Sequence, residues 1–421
     1  MKALIIICRI LIGIVFIYSG FVKGVDPLGS TLKFIDYFVA FGVGFLEPIA
    51  FPLAILMCTA EFVIGICLLS GIRIKFATWA ALLLMSFFTP LTLVAAIYNP
   101  VSDCGCFGDA IILTNWQTFW KNIIIIIPVI FIFLFRKKIK PIYNNFTEWS
   151  IAGIAFLFLV FVSIYSYRHL PLIDFRPYKV GANIPEQMKI PEDAESDIYE
   201  TILYYEKNSV VKAFTLENYP WEDTTWTFVD QESKLIKEGY IPPIHDFNII
   251  TLDGIEITDK VLNDNNYSFL LVAYNLKKSN IKAIQKANDL AIYCSQNNHS
   301  FYALTSSATS EIEELKNTVE IYFDFYTTDE TTLKTITRSN PGLLLIKEGI
   351  IIAKWHYNDF PTIKELGKNY LSSTLNNYRQ KNEILISLSL FLFFILFISF
   401  YKIIINFFQN KEVKFFPRRN L

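Results

Sequence analysis

Residues 3–22 read ALIIICRILIGIVFIYSGFV, and this stretch decides the class of the protein. A helix crosses a bilayer with about 20 mostly apolar residues, and residues 3–22 supply them with Arg9 as the single charge. Further runs of this kind follow at 46–69, 76–98, 116–135, 149–167 and 384–401. We therefore predict a membrane protein whose chain crosses the bilayer six times.

The composition of the chain agrees with this class. Of its 421 residues, 53% are hydrophobic and 18% are charged, whereas a soluble domain carries about 25% charged residues. A net charge of −1 gives no support for nucleic-acid binding. Six Cys are too few for a disulfide scaffold, and four His are few for metal chemistry, so we expect no metal.

The distribution of basic residues predicts how the spans are oriented. Lys and Arg gather in the turn at 73–75, in the loop at 136–140 and in the tail from 411 onwards. Such segments stay in the cytoplasm. The loop 99–115 contains no Lys or Arg. We therefore expect a bacterial inner-membrane protein with both termini in the cytoplasm, and with the loop 99–115 and the polar stretch 168–382 in the periplasm.

These features divide the chain into regions. Residues 28–44 are too polar for a span and predict a helix that lies in the membrane interface. The expected regions are a four-helix bundle at 1–135, a basic loop and fifth span at 136–167, a lead-in at 168–243, an α/β domain at 244–382, and a sixth span with a basic tail at 383–421.

The stretch after residue 244 alternates strands and helices. A hairpin is predicted at 246–258 around Asp253-Gly254, and a second hairpin at 343–355 follows Pro341. Between them the pattern predicts strands at 268–274, 300–305 and 319–325, and helices at 279–295, 309–316 and 330–338. A closing helix begins at 361–366.

This order resembles the thioredoxin fold, and in particular thiol-peroxidase and TlpA-like domains, over residues 244–370. The resemblance places a Cys-x-x-Cys where this chain has Tyr274, Asn275, Leu276 and Lys277, and a cis-proline at Pro341. It therefore implies a redox-inactive domain that binds a client or partner. Cys294 lies late in a helix and is assigned no chemistry.

Three motifs in the first 135 residues resemble the DoxX/MauE family of four-helix membrane proteins. They are FIYSGFVKGVDPLGS at 16–30, the span-two residues Glu61, Gly65 and Gly71, and SDCGCFGD at 102–109. Members of this family are tied to thiol or quinone redox work. The resemblance implies a quinone as a cofactor.

Cys104 and Cys106 are the candidate catalytic residues. Two Cys at positions i and i+2 can close a small, strained and easily reduced disulfide, with Gly105 supplying the backbone freedom. Asp103 and Asp109 on either side predict raised thiol pKa values. The alternative is a structural loop staple, and both interpretations stay open here. A two-Cys metal site is disfavoured because no third ligand is near in sequence.

Arg9 and Glu61 are ionisable residues inside predicted spans. Such residues usually pair or serve function. We predict an Arg9–Glu61 ion pair in the cytoplasmic half of the bundle, with a proton-linked or quinone site as the alternative. Glu47 at the outer end of span two could likewise meet Lys23.

Two functions follow from these motifs. The first is a thiol-disulfide oxidoreductase that exchanges electrons with a periplasmic thiol protein through Cys104 and Cys106 and passes them to a quinone. The second is a non-enzymatic accessory subunit of an inner-membrane envelope-biogenesis or protein-export complex. The expected partners are membrane lipids and either that thiol protein or the subunits of such a complex. Only the first function needs both thiols.

Overall fold

A computed structural model describes residues 1–141, 143–237 and 239–366. Five of its helical segments are long and apolar enough to cross a membrane, so the chain is a multi-pass membrane protein. The long helices are α1 at Lys2–Val25, α3 at Ala50–Ser70, α4 at Ile74–Tyr98, α5 at Asn115–Phe135 and α6 at Asn145–Arg168; α2, at Pro27–Ala40, is shorter. The predicted sixth span at 384–401 and the basic tail lie outside the described residues.

Helices α1 and α3 run antiparallel and pack at close range through glycines. A Cβ atom on Gly20 would lie 2.6 Å from the Cys58 carbonyl oxygen, and one on Gly65 would lie 2.6 Å from the Ile17 nitrogen. Small residues at such positions let two membrane helices approach backbone to backbone. This approach fixes the register of the two helices.

Helix α2 connects α1 to α3. Asp26 caps its N-terminus by accepting a hydrogen bond from the Gly29 amide at 2.9 Å. The predicted helix at 28–44 is thus present, although α2 ends at Ala40 and a 3-10 turn at Gly44–Ile49 leads into α3. Its end and the turn expose Val39, Phe41 and Phe45.

Beyond α6 and the short helix α7 (Ile184–Met188), the chain forms a small antiparallel sheet. Its strands are β1 at Ile198–Lys207, β2 at Val210–Thr215 and β3 at Thr227–Lys237, in the order β2-β1-β3. This sheet lies within the region 168–243 that the sequence predicted as a lead-in.

A six-stranded sheet forms the centre of the α/β domain. Its strands are β4 at Ile250–Thr251, β5 at Tyr267–Val272, β6 at Ser300–Thr305, β7 at Phe325–Thr327, β8 at Gly342–Lys347 and β9 at Ile350–His356. The order is β4-β7-β6-β5-β8-β9. β5, β6 and β7 are parallel, and the β8–β9 hairpin is antiparallel to β5. This arrangement resembles a thioredoxin fold.

Helices cover both faces of this sheet. α9 (Ile281–Gln296) and α10 (Thr309–Thr318) follow the short helix α8 (Thr258–Leu262) and pack on one face, against Phe269 and Leu271. α8 and α11 (Glu330–Ile336) pack on the other face, against Leu270 and Val272. Both sides of β5 are therefore buried, as its continuous apolar sequence indicates. A final described turn of helix, α12, lies at Ile363–Leu366.

The sequence placed two features of this domain wrongly. The strand predicted at 319–325 is found only at Phe325–Thr327, because Val319 and Phe323 are buried as loop residues against the helices. The domain also begins before residue 244. Tyr178 and Ile184 belong to its core, and the Gly181 amide donates to the Ile351 carbonyl at 2.7 Å. The sheet β1–β3 is thus an insertion in the domain.

Candidate active site

The Cys loop, residues 99–115, brings its two thiols into contact. The Sγ atoms of Cys104 and Cys106 are 3.1 Å apart, and both Cys are free thiols. Gly105 lies between them with φ of +66°, a conformation that glycine adopts without a steric penalty. Asp103 holds the turn by accepting a hydrogen bond from the Gly105 amide at 2.9 Å. The turn therefore presents a reduced Cys pair.

The acidic residues beside the Cys pair are each paired with a cation. Lys33 Nζ lies 2.6 Å from an Asp103 carboxylate oxygen, and Arg338 Nη2 lies 2.8 Å from an Asp109 oxygen. Lys121 lies over the Phe107 ring at 4.4 Å. The two carboxylates that were predicted to raise the thiol pKa values are therefore each neutralised by a cation.

The two thiols have opposite pKa shifts. A hydrogen bond from Cys104 lowers the pKa of Cys106 against the effect of burial, and the Lys121 and Lys23 ammonium groups lower it further. The same hydrogen bond and burial raise the pKa of Cys104. Because the thiolate is the reactive form of Cys, we expect Cys106 to be the more reactive thiol of the pair.

This asymmetry predicts which thiol reacts first with an alkylating reagent. We expect iodoacetamide to modify Cys106 before Cys104 near neutral pH, because a lowered pKa populates the thiolate at lower pH. Cys294 is the control, since burial raises the pKa of its thiol to about 12. Tandem mass spectrometry after short exposures over a pH series assigns each modified Cys. Faster modification of Cys104 would contradict the assignment.

A buried ion pair lies next to the Cys loop. Lys23 Nζ is 2.6 Å from both carboxylate oxygens of Glu61, and the two side chains are 6% and 10% exposed. Ser19 Oγ lies 2.9 Å from Glu61 Oε2 and 2.8 Å from the Cys106 carbonyl oxygen. Ser19 therefore links the ion pair to the backbone of the Cys loop.

This pairing corrects the prediction of an Arg9–Glu61 pair. Arg9 is buried, but it donates to the Leu69 carbonyl oxygen at 3.4 Å and packs on Gly71. The register of the antiparallel helices places Arg9 opposite 69–71 and Glu61 opposite Ser19. Eight residues of helix separate Glu61 from Leu69, which is about 12 Å. The suggested Glu47–Lys23 contact is also wrong, because Glu47 lies 3.8 Å from Lys278.

A cavity of about 690 Å³ opens beside the Cys pair and the ion pair. Its polar lining includes Ser19, Lys23, Glu61, Cys104 and Cys106. The remaining walls are mostly apolar and come from α1 to α5, with Phe34, Phe38, Leu53, Phe87 and Phe88 among them. Pockets of this volume and character hold small organic molecules. Among the described residues, no three His, Cys, Asp or Glu side chains are grouped as metal ligands would be.

The α/β domain sits at the same end of the bundle as the Cys loop. Arg338 reaches across and lies 2.8 Å from both Asp26 and Asp109. Lys278 lies 3.8 Å from Glu47 in the turn before α3. These residues flank the edge where a thioredoxin-like domain carries its cysteines, and that edge therefore faces the bundle.

The edge itself contains no Cys. Positions 274–277 hold Tyr274, Asn275, Leu276 and Lys277, as the sequence indicates. The Asn340–Pro341 peptide bond is cis, as predicted. Asn340 donates from its side chain to the Asn275 carbonyl oxygen at 2.8 Å, which joins the two loops of this edge. Cys294 lies on α9 and is buried in the core against the sheet.

The comparisons with known proteins divide the chain in the same way. Residues 1–135 match the family of the methylamine utilisation protein MauE. The N-terminal region, with α1 to α5 and the Cys loop, is thus a MauE-family region. Residues 199–238 match a domain of unknown function, DUF8463, which coincides with the sheet β1–β3. The comparison with curated proteins gave no match.

Two solved structures are similar to the α/β domain. One is described as a thiol:disulfide interchange protein DsbE from Chlorobium tepidum, with 13% identity over 32% of this chain and 92% of that one, at a TM-score of 0.24. The other is described as a protein disulfide isomerase from Bacteroides thetaiotaomicron, with 11% identity over 33% and 84%, at a TM-score of 0.24. The thioredoxin-like description of the domain rests on its strand order, not on these alignments.

Several residues of this site were not found from the sequence. Four side chains contact the Cys loop, namely Ser19, Lys33, Lys121 and Arg338. No sequence motif indicates that the last three of them lie there. The Lys23–Glu61 contact, in contrast, could have been predicted from the glycines of the two helices. Gly13, Gly20 and Gly65 predict where α1 and α3 touch, and that register alone brings Lys23 near Glu61.

Proposed function

We propose that this protein is a membrane thiol-disulfide oxidoreductase that oxidises client dithiols and passes the electrons to a quinone. In the first step, a client dithiol reduces the Cys104–Cys106 disulfide and leaves as a client disulfide. In the second, the Cys104 thiol and the Cys106 thiolate re-form their S–S bond, and their two electrons, the proton of Cys104 and the proton that Cys106 released to water convert the quinone to a quinol. Atoms and electrons balance over the cycle without a further reactant.

One observation carries this proposal. The Cys pair lines the wall of a largely apolar cavity inside a membrane bundle, with its sulfur atoms 3.1 Å apart. A structural staple has no need of such a cavity. The lowered pKa of Cys106, caused by Cys104 and by the ammonium groups of Lys121 and Lys23, supports a reactive thiolate in the same place.

The α/β domain has a supporting role in this proposal. Without a Cys pair of its own it exchanges no electrons, and its edge beside Pro341 faces the Cys loop. We assign it to holding a client against that loop. The location that suits this chemistry is the periplasmic side of a bacterial inner membrane, where disulfides persist and where the basic loop at 136–140 would be cytoplasmic.

The purified full-length protein in lipid nanodiscs provides the test. With dithiothreitol as the dithiol and ubiquinone-1 as the acceptor, we expect quinone reduction, followed by its ultraviolet absorbance, well above the reaction without protein. Cys104→Ser and Cys106→Ser should each lower the rate to that background, because neither variant can form the disulfide. Cys294→Ser is the matched control and should keep the wild-type rate.

The accessory-subunit function is the outcome that would replace this one. The absence of a Cys pair at 274–277 is the observation that favours it. If the wild-type protein reduces no quinone, and cells with Cys104→Ser/Cys106→Ser grow and assemble their envelope normally, the chain is a docking protein. The Cys pair is then at most a loop staple.

A further inference from the structure

We propose that the cavity binds the ring of a lipid-soluble quinone, with the Lys23–Glu61 pair holding one ring carbonyl beside the Cys pair. The inference rests on the proposed function and adds the site and the residues to it. It assigns the ion pair of Lys23 and Glu61 to quinone binding.

The access of the cavity points to a ligand that arrives through the lipid. Several apolar side chains that line the cavity keep a large exposed surface. Leu56 is 60% exposed, Leu83 64% and Phe87 64%. All three lie on helices long enough to span the membrane, so a ligand dissolved in the lipid can reach a cavity that opens between these helices.

The polar end of the cavity matches a quinone ring. Lys23 lines the cavity with an ammonium group that has three donors, and Glu61 holds it in place through contacts of 2.6 Å. A quinone oxygen gains negative charge as the ring accepts electrons. A positive donor fixed beside it stabilises that charge in a medium of low dielectric constant. Because the negative charge of Glu61 balances that of Lys23, the ion pair adds no net charge to the site when a neutral quinone is bound.

The connection to the Cys pair is direct. Ser19 contacts both Glu61 and the Cys106 carbonyl oxygen. The ion pair and the backbone of Cys106 are therefore held together on one wall of the cavity. When the Cys104 thiol and the Cys106 thiolate form their S–S bond, two electrons pass to the ring, and the ring oxygens take up the proton of Cys104 and one proton from water. Lys23 and Glu61 orient the ring for this step and are not consumed.

A binding measurement separates this site from turnover. In full-length protein carrying Cys104→Ser/Cys106→Ser, ubiquinone-1 is titrated and the quenching of Trp fluorescence is recorded. Adding Lys23→Met/Glu61→Leu should weaken binding roughly tenfold or more, because a charge-assisted hydrogen bond is lost. Ala60→Phe, which fills a lining position of the cavity, tests the same site without touching the ion pair. It should also weaken binding.

The control is a pair at the opposite end of the bundle. Arg73 lies 3.8 Å from Glu148 and lines no part of this cavity. Arg73→Met/Glu148→Leu should leave quinone affinity unchanged. Unchanged affinity in both the Lys23→Met/Glu61→Leu and Ala60→Phe variants would overturn the site. Wild-type protein that binds no ubiquinone-1 would also overturn the site, and phospholipid would then be the occupant of the cavity.

A third readout distinguishes failure of the site from failure of the function. Oxidised protein with Lys23→Met/Glu61→Leu is mixed with dithiothreitol, and reduction of its disulfide is followed by alkylation in a single turnover. This step needs no quinone. Lys23 lowers and Glu61 raises the pKa of Cys106, so these opposing effects are removed together and the disulfide of the variant should still be reduced. Quinone binding without any thiol oxidation in the wild type would instead reject the proposed function and leave the site standing.

Discussion

Replacement of Arg338 with alanine is expected to separate the α/β domain from the membrane bundle. The Arg338 side chain is 10% exposed and lies 2.8 Å from both Asp26 and Asp109. Removing it leaves two carboxylates without their cation. Breaking a buried ion pair costs about 3–5 kcal/mol, and the partial exposure of Asp109 places the expected loss at the lower end. Unfolding of full-length protein in nanodiscs measures it.

The two carboxylates should not contribute equally. Burial opposes ionisation of Asp26, but Arg338 and Arg176 outweigh it and lower the pKa of Asp26. Burial and the neighbouring Asp26 raise the pKa of Asp109 despite the same arginine. Arg338 therefore helps to outweigh the effect of burial on the pKa of Asp26, but it does not outweigh that effect at Asp109. We expect Asp26→Asn to lower stability more than Asp109→Asn.

Lys278 provides the control for this interface. It lies 3.8 Å from Glu47 between the same two parts of the protein, but both side chains are more than half exposed. Exposed pairs of this kind contribute about 0–1 kcal/mol. Hydrogen exchange near Asp26 and near residues 336–342 should increase with Arg338→Ala and stay unchanged with Lys278→Ala. Equal effects of the two changes would show that Arg338 is not the main contact.

The first five spans were predictable because the bilayer sets their length, and the sixth lies outside the described residues. The predicted run at 3–22 and the helix Lys2–Val25 differ only at the ends, since polar residues near a span boundary continue the helix without changing the apolar length. The order of strands and helices in the α/β domain was predictable for a similar reason. Each element buries an apolar face with its own period along the sequence.

Contacts between distant parts of the chain were not predictable in this way. Arg338 and Asp26 are 312 residues apart, and a charge in a sequence does not name its partner. The wrong prediction of an Arg9–Glu61 pair has the same cause, because the sequence does not show which charges meet. Arg9 and Glu61 are both charges in apolar runs, but the glycine contacts set the register of α1 against α3, and this register places them at different depths. The segment around Tyr178 was missed because its strand-like pairing with β9 has no pattern of its own.

The Lys23–Glu61 pair supports the second large prediction. Lys23→Met leaves Glu61 buried beside Ser19 alone, and Glu61→Leu leaves the Lys23 ammonium without its carboxylate. Each single change should lower the free energy of unfolding by about 3–5 kcal/mol, because an uncompensated charge stays in the bundle. The double change should recover much of that loss, since apolar residues can replace a buried ion pair at little cost. Chemical unfolding in nanodiscs gives the three values.

Arg9 separates this pairing from a general effect of charge removal. Arg9 and Glu61 lie about 12 Å apart along the bundle, and changes at that separation usually add. Arg9→Leu combined with Glu61→Leu should therefore show no coupling, whereas Lys23→Met with Glu61→Leu should show strong coupling. The reverse result would restore an Arg9–Glu61 pair and remove Lys23 from the site. With the expected result, the Lys23→Met/Glu61→Leu protein is stable and lacks only the ion pair. A loss of quinone binding in this variant is then not a consequence of unfolding.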